Sequence, residues 1–444
     1  MNLDTAPNPV TFRQALRYWL KLGFISFGGP AGQISMMHQE LVEKRRWISE
    51  NRFLHALNFT MLLPGPEAQQ LATYIGWLMH GTAGGIVAGT LFILPSLFIL
   101  MALSWLYLAF HNVPMVSAIL YGIKPAVTAI VLFAAIRIGR RAIKNLLLLA
   151  IAILAFLAVF IFYVPFPLVV ASAALAGYIG SRMAPEKFAT GVTHAAGKSS
   201  SAASLIDDHS PLPAYAQFTW RRTLLYALCG LLIWITSMAV LFLYGGWQGT
   251  LTQMGWFFTK AALLTFGGAY AVLPYVYQGA VDHYGWLTAP QMIDGLALGE
   301  TTPGPLIMIV AFVGFAGGWS GEVLGTGLQL PSGIVAASVA TFFTFLPSFL
   351  FILVGGPVVE ATRGELGFTA PLTGITAAVV GVIVNLALIF AGHVFWPAGF
   401  AGNFEWFALL IAASAFIALY YFQKGIVSVI AACALAGLVH SLLF

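Results

Sequence analysis

The chain has 444 residues, of which 60% are hydrophobic and only 8% charged. A water-soluble domain carries about 25% charged residues, so a soluble enzyme or binding module is excluded, and the net charge of +5 fits the loops of a membrane protein better than a nucleic-acid partner. Continuous apolar runs such as "LLLLAIAILAFLAVFIF" from Leu146 exclude the short alternating strands of a membrane barrel, and the expected class is an all-α polytopic membrane protein.

The first residues, "MNLDTAPNPVTFRQ", have no basic stretch leading into an apolar core, so no cleaved signal peptide is expected. Six apolar segments follow, near 11–28, 53–80, 85–109, 116–137, 145–162 and 165–181. The first carries Arg13, Arg17 and Lys21 and ends on "SFGGP"; the second is interrupted by "LLPGPEAQQ" from Leu62. Residues 10–182 form a first unit, and 183–220, rich in Ala, Ser, Pro and charge, read as a flexible cytoplasmic linker. One unpaired run, 221–247, has the length of a spanning helix, and a second apolar series fills 254–444.

The second series repeats the first. Gly28 and Gly267, Trp47 and Trp286, Pro64 and Pro303, and Lys21 and Lys260 are all separated by 239 residues (267 − 28). Further on, "LPS" at Leu94 returns at Leu346 and "GI" at Gly122 returns at Gly374, both at 252 (346 − 94), so the second copy carries 13 extra residues (252 − 239) around "GWSGEVLGTGLQLPSG". Six segments per copy plus one unpaired helix would place the copies in opposite orientations, as in many secondary transporters. Charge placement agrees: Arg137, Arg140, Arg141 and Lys144 have no Lys or Arg equivalents in Ile389 to Trp396, whereas Arg363 and Lys424 lie in second-copy loops whose first-copy equivalents lack them. The linker, with Arg182, Lys187, Arg221 and Arg222, falls on the same side. Lys44, Arg45, Arg46 and Arg52 would lie outside if the first segment crosses fully, and inside if segments 11–28 and 53–80 belong to re-entrant hairpins broken at "FGGP" and "PGP".

The breaks carry the chemistry. In Pro64–Gly65–Pro66 the prolines stop one half-helix and open the next, and the fresh N-terminus offers unpaired N–H groups and about half a positive charge to an anion. Glu67, Gln69, Gln70 and Thr73 follow in its first turns; the second copy has Gly304 and Pro305, with Leu306 in place of Glu67 and with Glu300 ahead of the break. Gly28 and Gly29, and Gly267 and Gly268, permit close backbone approach, and Ser26 and Thr265 precede them. Lys21 and Lys260 are repeat-equivalent intramembrane cations suited to an anionic substrate. Lys124, in "YGIKPAV", has Thr376 as its equivalent and is a one-sided substrate or gating charge, or a partner for Glu67. Glu67 and Glu300, which repel an anion when charged, fit coupling or gating better than binding. Bland alternatives are kinks for helix packing, small-residue contacts and lysines reaching to the interface. Cys229 and Cys433 form no framework, the nine histidines, His55 included, lack metal spacing, and no Walker loop or nucleophile elbow is present, so no cofactor, metal or catalytic residue is expected.

"FISFGGPAGQISMMHQELVEKRRWIS" with "LLPGPEAQQLATYIGW", and "LLTFGGAYAVLPYVYQ" with "WLTAPQMIDGLALGETTPGPLIM", resemble the two copies of the chromate ion transporter (CHR) family in its long two-domain form. The resemblance implies about thirteen transmembrane segments, export of chromate across the bacterial inner membrane with resulting chromate resistance, and sulfate as the competing anion. The expectation is therefore a secondary transporter, not an enzyme. Its partners would be a tetrahedral oxyanion and the bilayer, with room for a homodimer. Sulfate uptake or exchange, a gated anion channel and a chromate reductase are the rival readings.

Overall fold

The computed structural model describes residues 9–110, 113–188, 204–207, 213, 215–361 and 369–443. Arg363 and most of the linker lie outside the described residues. In the first copy α1 spans Phe12–Ile25, α2 Gly29–His38, α3 Glu50–Leu62, α4 Glu67–Phe110, α5 Pro114–Ala142, α6 Leu146–Phe160 and α7 Phe166–Met183. A short α8, Pro185–Phe188, leads to the linker, and α9, Trp220–Gly245, follows it. The second copy holds α10 Thr250–Leu264, α11 Ala269–Tyr277, α12 Ala289–Thr301, α13 Ile309–Gly321, α14 Gln329–Ala361, α15 Thr369–Phe395, α16 Trp406–Tyr420 and α17 Ile426–Leu443. Among the described residues seven helices are long and apolar enough to cross a membrane, and these residues form an all-helical polytopic membrane protein.

The repeat extends to local irregularities. α2 runs into a π-helical turn at Gln39–Lys44, and α11 into another at Gln278–His283, 239 residues later. The apolar runs did not announce α2: "GPAGQISMMH" is short and mixed in polarity. Helix starts follow the capping rules, with Thr11 and Gln14, and Thr288 and Gln291, forming capping boxes.

Within α4 the chain reverses at His80 and Gly81, whose dihedrals are non-helical. Gly76 then faces Gly84 and Ala88, and Gly89 faces Thr73 and Gln69, so 67–79 and 82–110 are antiparallel arms. Pro64–Pro66 therefore separates α3 from the first of these arms. The second copy makes the same reversal between α13 and α14, where Gly314 and Gly318 face Ala336 and Ser332, but spreads the turn over 322–328. The extra residues expected there sit in that loop and in the earlier start of α14.

Several ties gather one end of the molecule. His80 bonds the Val10 carbonyl at 2.9 Å, and the Tyr215 hydroxyl donates to the Leu78 carbonyl at 2.9 Å. Linker residues 205 and 206 lie on the 46–49 loop as a short parallel bridge, Leu205 and Ile206 donating to Arg46 and Trp47 at 3.0 and 3.1 Å, and Ser49 to Ile206 at 2.9 Å. The start of α1, the basic loop after α2 and the turn inside α4 thus share one end with the linker. α1 with α2, and α3 with the first arm of α4, enter from that end and return to it. They form two helical hairpins with tips at Ser26–Gly28 and Pro64–Pro66.

The two copies interleave. α15 packs on α6 and α7 of the first copy, and α5 on α16 and α17 of the second. Close approach depends on glycines: a Cβ at Gly122 would lie 2.1 Å from the Cys433 carbonyl, and one at Gly374 would lie 2.4 Å from the Ala173 carbonyl. Lipid supplies no hydrophobic drive between helices, so such small-residue contacts carry the association. α9 stays peripheral, burying only Thr223, Gly230 and Met238.

Candidate functional site

The four breaks meet in reciprocal pairs. The Gly65 N–H donates to the Thr265 carbonyl at 2.7 Å, and the Gly304 N–H donates to the Ser26 carbonyl at 2.9 Å. Gly65 equals Gly304, and Ser26 equals Thr265, in the repeat, so each Pro-Gly-Pro tip docks on the Gly-Gly tip of the other copy. The serine of the other copy's "LPS" closes each contact. A Cβ at Gly65 would lie 2.6 Å from Ser348 Oγ, and one at Gly304 would lie 2.6 Å from Ser96 Cβ. Both glycines hold positive φ, +126° and +112°, a region other residues adopt only under strain.

The Gly-Gly tips differ from the Pro-Gly-Pro tips. Nothing lies within 4 Å of a Cβ built on Gly29 or Gly268, and at Gly28 only the Gly32 Cα comes that near. Gly267 differs, since a Cβ there would lie 3.4 Å from the Thr376 hydroxyl, while Ser26 and Thr265 just before the tips are fully buried. Pro66 precedes the first arm of α4, whose first intrahelical backbone bond is Gln70 N–H to the Pro66 carbonyl at 3.0 Å. The amides of Glu67, Ala68 and Gln69 before it have no intrahelical carbonyl to bond. Pro305 opens a short 3₁₀ turn in the same way, with Met308 N–H bonding its carbonyl at 2.9 Å.

The polar lining is one-sided. Gln33 Nε2 bonds the Ser26 and Gly304 carbonyls at 3.1 and 2.5 Å, stitching the crossing. Gln69 Nε2 bonds Thr73 at 3.0 Å, and Gln70 Nε2 bonds the Pro64 carbonyl at 2.8 Å. Each amide nitrogen is thereby fixed. The buried oxygens Gln33 Oε1, Gln69 Oε1, Gln70 Oε1 and Ser26 Oγ have no hydrogen-bond partner among the described residues. Buried polar atoms are rarely orphaned without a reason such as a water or ligand. The repeat equivalents of these glutamines are Val272, Met308 and Ile309. The second copy contributes Tyr270, which donates to the buried Glu300.

The expected ionic residues divide. Glu67 is half-buried beside the break within the field of Arg141, and Glu300 lies within that of Arg137. Those two arginines, read from sequence only as loop charges, sit on the last turns of α5. Lys124 pairs with Asp294 at 3.5 Å rather than with Glu67. Lys21 is exposed on the face of α1 opposite the buried Tyr18, Trp19 and Leu22, among Leu20, Phe24 and Ile25. Lys260 is half-buried, its ammonium 5.6 Å from the Trp256 ring centre. Neither lysine is among the residues brought into the crossing. Seven residues from a glycine fix a distance along a helix and not which face a side chain takes. Gln33, Tyr270, Ser96, Ser348 and Asp294 were not singled out from sequence, and Arg137 and Arg141 were not read as site residues. Only the two serines carried a signal, their shared offset of 252.

The family model for chromate transporters matches residues 13–178 and 252–438. The chain belongs to the chromate transporter family. Chromate transport proteins of Pseudomonas aeruginosa and Cupriavidus metallidurans are 33% identical over 442 residues and 30% identical over 392. These matches take in 98% and 88% of this chain, and 94% and 85% of those proteins. A probable chromate transport protein of Synechococcus elongatus is 27% identical over 381 residues, 85% of this chain and 84% of its own length. No solved structure matches the chain. Both matched segments of the chromate transporter family end within the helical copies, and each includes one Gly-Gly tip and one Pro-Gly-Pro tip.

Proposed function

We propose that the chain is a secondary active transporter that exports a tetrahedral oxyanion, chromate first and sulfate as its competitor, from the bacterial cytoplasm. The reciprocal docking of the two Pro-Gly-Pro tips on the two Gly-Gly tips carries the reading. It gathers two helix N-termini, open glycine backbone and orphaned polar atoms at the middle of an apolar protein, which suits an oxyanion. Gly28, Gly29, Gly267 and Gly268 let the backbone approach the anion, while Ser26, Thr265, Gly65, Pro66, Gln69, Gly304 and Pro305 frame it. Lys21 and Lys260 act as counter-charges at a distance, and Arg137 and Arg141 balance Glu300 and Glu67.

Alternating access follows from an inverted arrangement, which three features support. α9 is about 39 Å long at 1.5 Å per residue and takes the chain away from the linker end. Tyr244 at its far end bonds Val323 at 3.1 Å, in the turn between α13 and α14. Arg140 reaches Tyr420 beside Lys424, so cations of both copies share the linker end. At that end Arg52 and Glu360 form a buried ion pair at 2.5 Å between α3 and α14, with Tyr74 also donating to Glu360 at 2.5 Å. This pair is the closed gate, to be broken when the copies rock.

Inside-out vesicles test the reading. Saturable chromate accumulation that collapses with the ion gradient is expected, with sulfate competing. Passive conductance without accumulation would replace the transporter with a channel. Disappearance of chromate without movement would replace it with a reductase.

A further inference from the structure

A second polar site lies away from the crossing. A cavity of about 410 Å3 is walled by Tyr107, Lys124, Asp294, His393 and Glu405, among others. Asp294, on α12, is 2% exposed and accepts from the Tyr107 hydroxyl at 2.9 Å, with the Lys124 ammonium 3.5 Å from the same oxygen. Above them Tyr121 donates to Glu405 at 2.8 Å.

The charge balance of this cavity selects its ligand. Two carboxylates face one ammonium and one imidazole, so with neutral histidine the wall is net negative. A dianion is repelled and a cation is drawn in. The His393 Nδ1–H donates to the Ile389 carbonyl at 2.9 Å, leaving Nε2 as the basic nitrogen of the ring. The groups around Asp294 on the packed helices are Tyr107 on α4, Tyr121 and Lys124 on α5, His393 on α15, Glu405 at the start of α16 and His440 on α17, whose ring stacks on Tyr121. α13 contributes no titratable group. A metal cation would need several oxygens converging on one point, and the ammonium already occupies the carboxylate. A proton needs only the carboxylate.

The same helix serves both sites. Asp294 and Glu300 stand six residues apart on α12, about 9 Å along its axis, and α12 ends at the Pro-Gly-Pro tip that docks on Ser26. We infer that Asp294 is the proton-accepting group that couples oxyanion movement to a proton gradient, with Lys124 as its internal counter-ion. A hydronium in the cavity gives its proton to the Asp294 carboxylate. Lys124 stays an ammonium, loses its partner and is freed toward the anion path, and α12 relays the change to the crossing. Loss of the proton re-forms the pair. The inference rests on the transport reading above.

The test uses the full chain in liposomes, with chromate as the probe. Two quantities are read: chromate counterflow without any gradient, and chromate accumulation under an imposed pH gradient with a lumenal pH dye. For wild type, each coupled proton shifts the accumulation ratio about tenfold per pH unit, and chromate movement changes lumenal pH. Asp294→Asn is expected to keep counterflow and to lose both pH effects. Retained pH-driven accumulation in Asp294→Asn, or loss of its counterflow, overturns the assignment. So does wild-type chromate flux that moves no protons, or that a sodium gradient drives instead; these two results need no variant. Absence of wild-type counterflow would remove the transport reading itself, whereas counterflow indifferent to pH removes only the coupling site.

Discussion

Gly304→Ala tests whether the docked tips hold the two copies together. The new Cβ would lie 2.6 Å from Ser96 Cβ and 2.9 Å from Ser96 Oγ, on a backbone at φ +112°. A side chain in that region costs about 1–3 kcal/mol, and the clash adds about 1–3 kcal/mol of overpacking. The two parts can be separated. Beyond Ser96 the nearest atom is the Phe92 carbonyl oxygen at 3.8 Å, an ordinary contact, so Ser96→Gly should remove the clash and leave the backbone cost. Ser96→Gly alone costs about 0.5–1 kcal/mol as a helical glycine. The cycle of two single variants and the double variant should therefore show a coupling of about 1–3 kcal/mol in favour of the double. Denaturation in detergent by added SDS, followed by tryptophan fluorescence, measures it. If Gly304→Ala unfolds with wild type, or if the two substitutions simply add, the tips are not packed as described.

Three further outcomes are expected. Gly268→Ala meets no atom within 4 Å but sits at φ +101°; it should lose only about 1–3 kcal/mol of stability yet impair chromate uptake, because its methyl fills the open tip. Arg52→Met leaves the Glu360 carboxylate buried and uncompensated, at a cost of about 3–5 kcal/mol in the same SDS titration. Replacing both partners by methionine should recover most of that loss and raise cysteine labelling from the linker end. Lys260→Ala removes a cation–π contact worth about 0.5–1 kcal/mol. As a distant counter-charge it should raise the KM for chromate at low ionic strength, with the difference shrinking once the Debye length falls to about 10 Å near 0.1 M salt; a loss independent of salt would make it a direct ligand.

The parts of the fold that follow from covalent order were readable in the residues. Equal offsets marked the tips, and proline and glycine announced the breaks. The extra residues located the looser turn before α14. What the tips touch was not readable, because the partners lie in the other copy and the offset says nothing of which surfaces meet. The interleaving of α5 with α16 and α17 escaped for a related reason. In lipid the contact rests on Gly122 and Gly437, and isolated glycines are common in such helices. Charges were the least legible. Lys124 found Asp294 and not Glu67, and Lys21 turned outward beside Leu20 and Phe24, since a single intramembrane cation has no periodicity to reveal its face.

The exchange of helices between copies sets an order on synthesis. α5 ends at Ala142, and its partners α16 and α17 begin only at Trp406. At about 5–20 residues per second, the intervening 263 residues (405 − 142) keep α5 waiting in the bilayer on the order of ten to fifty seconds. Over that interval its glycine-lined face has only lipid to meet. The first copy is thus a folding intermediate until the chain is nearly finished, and a ribosome that stops before Trp406 releases a protein with neither copy complete. By the same geometry, two separately made halves carrying these surfaces would complete each other by exchanging their last helices.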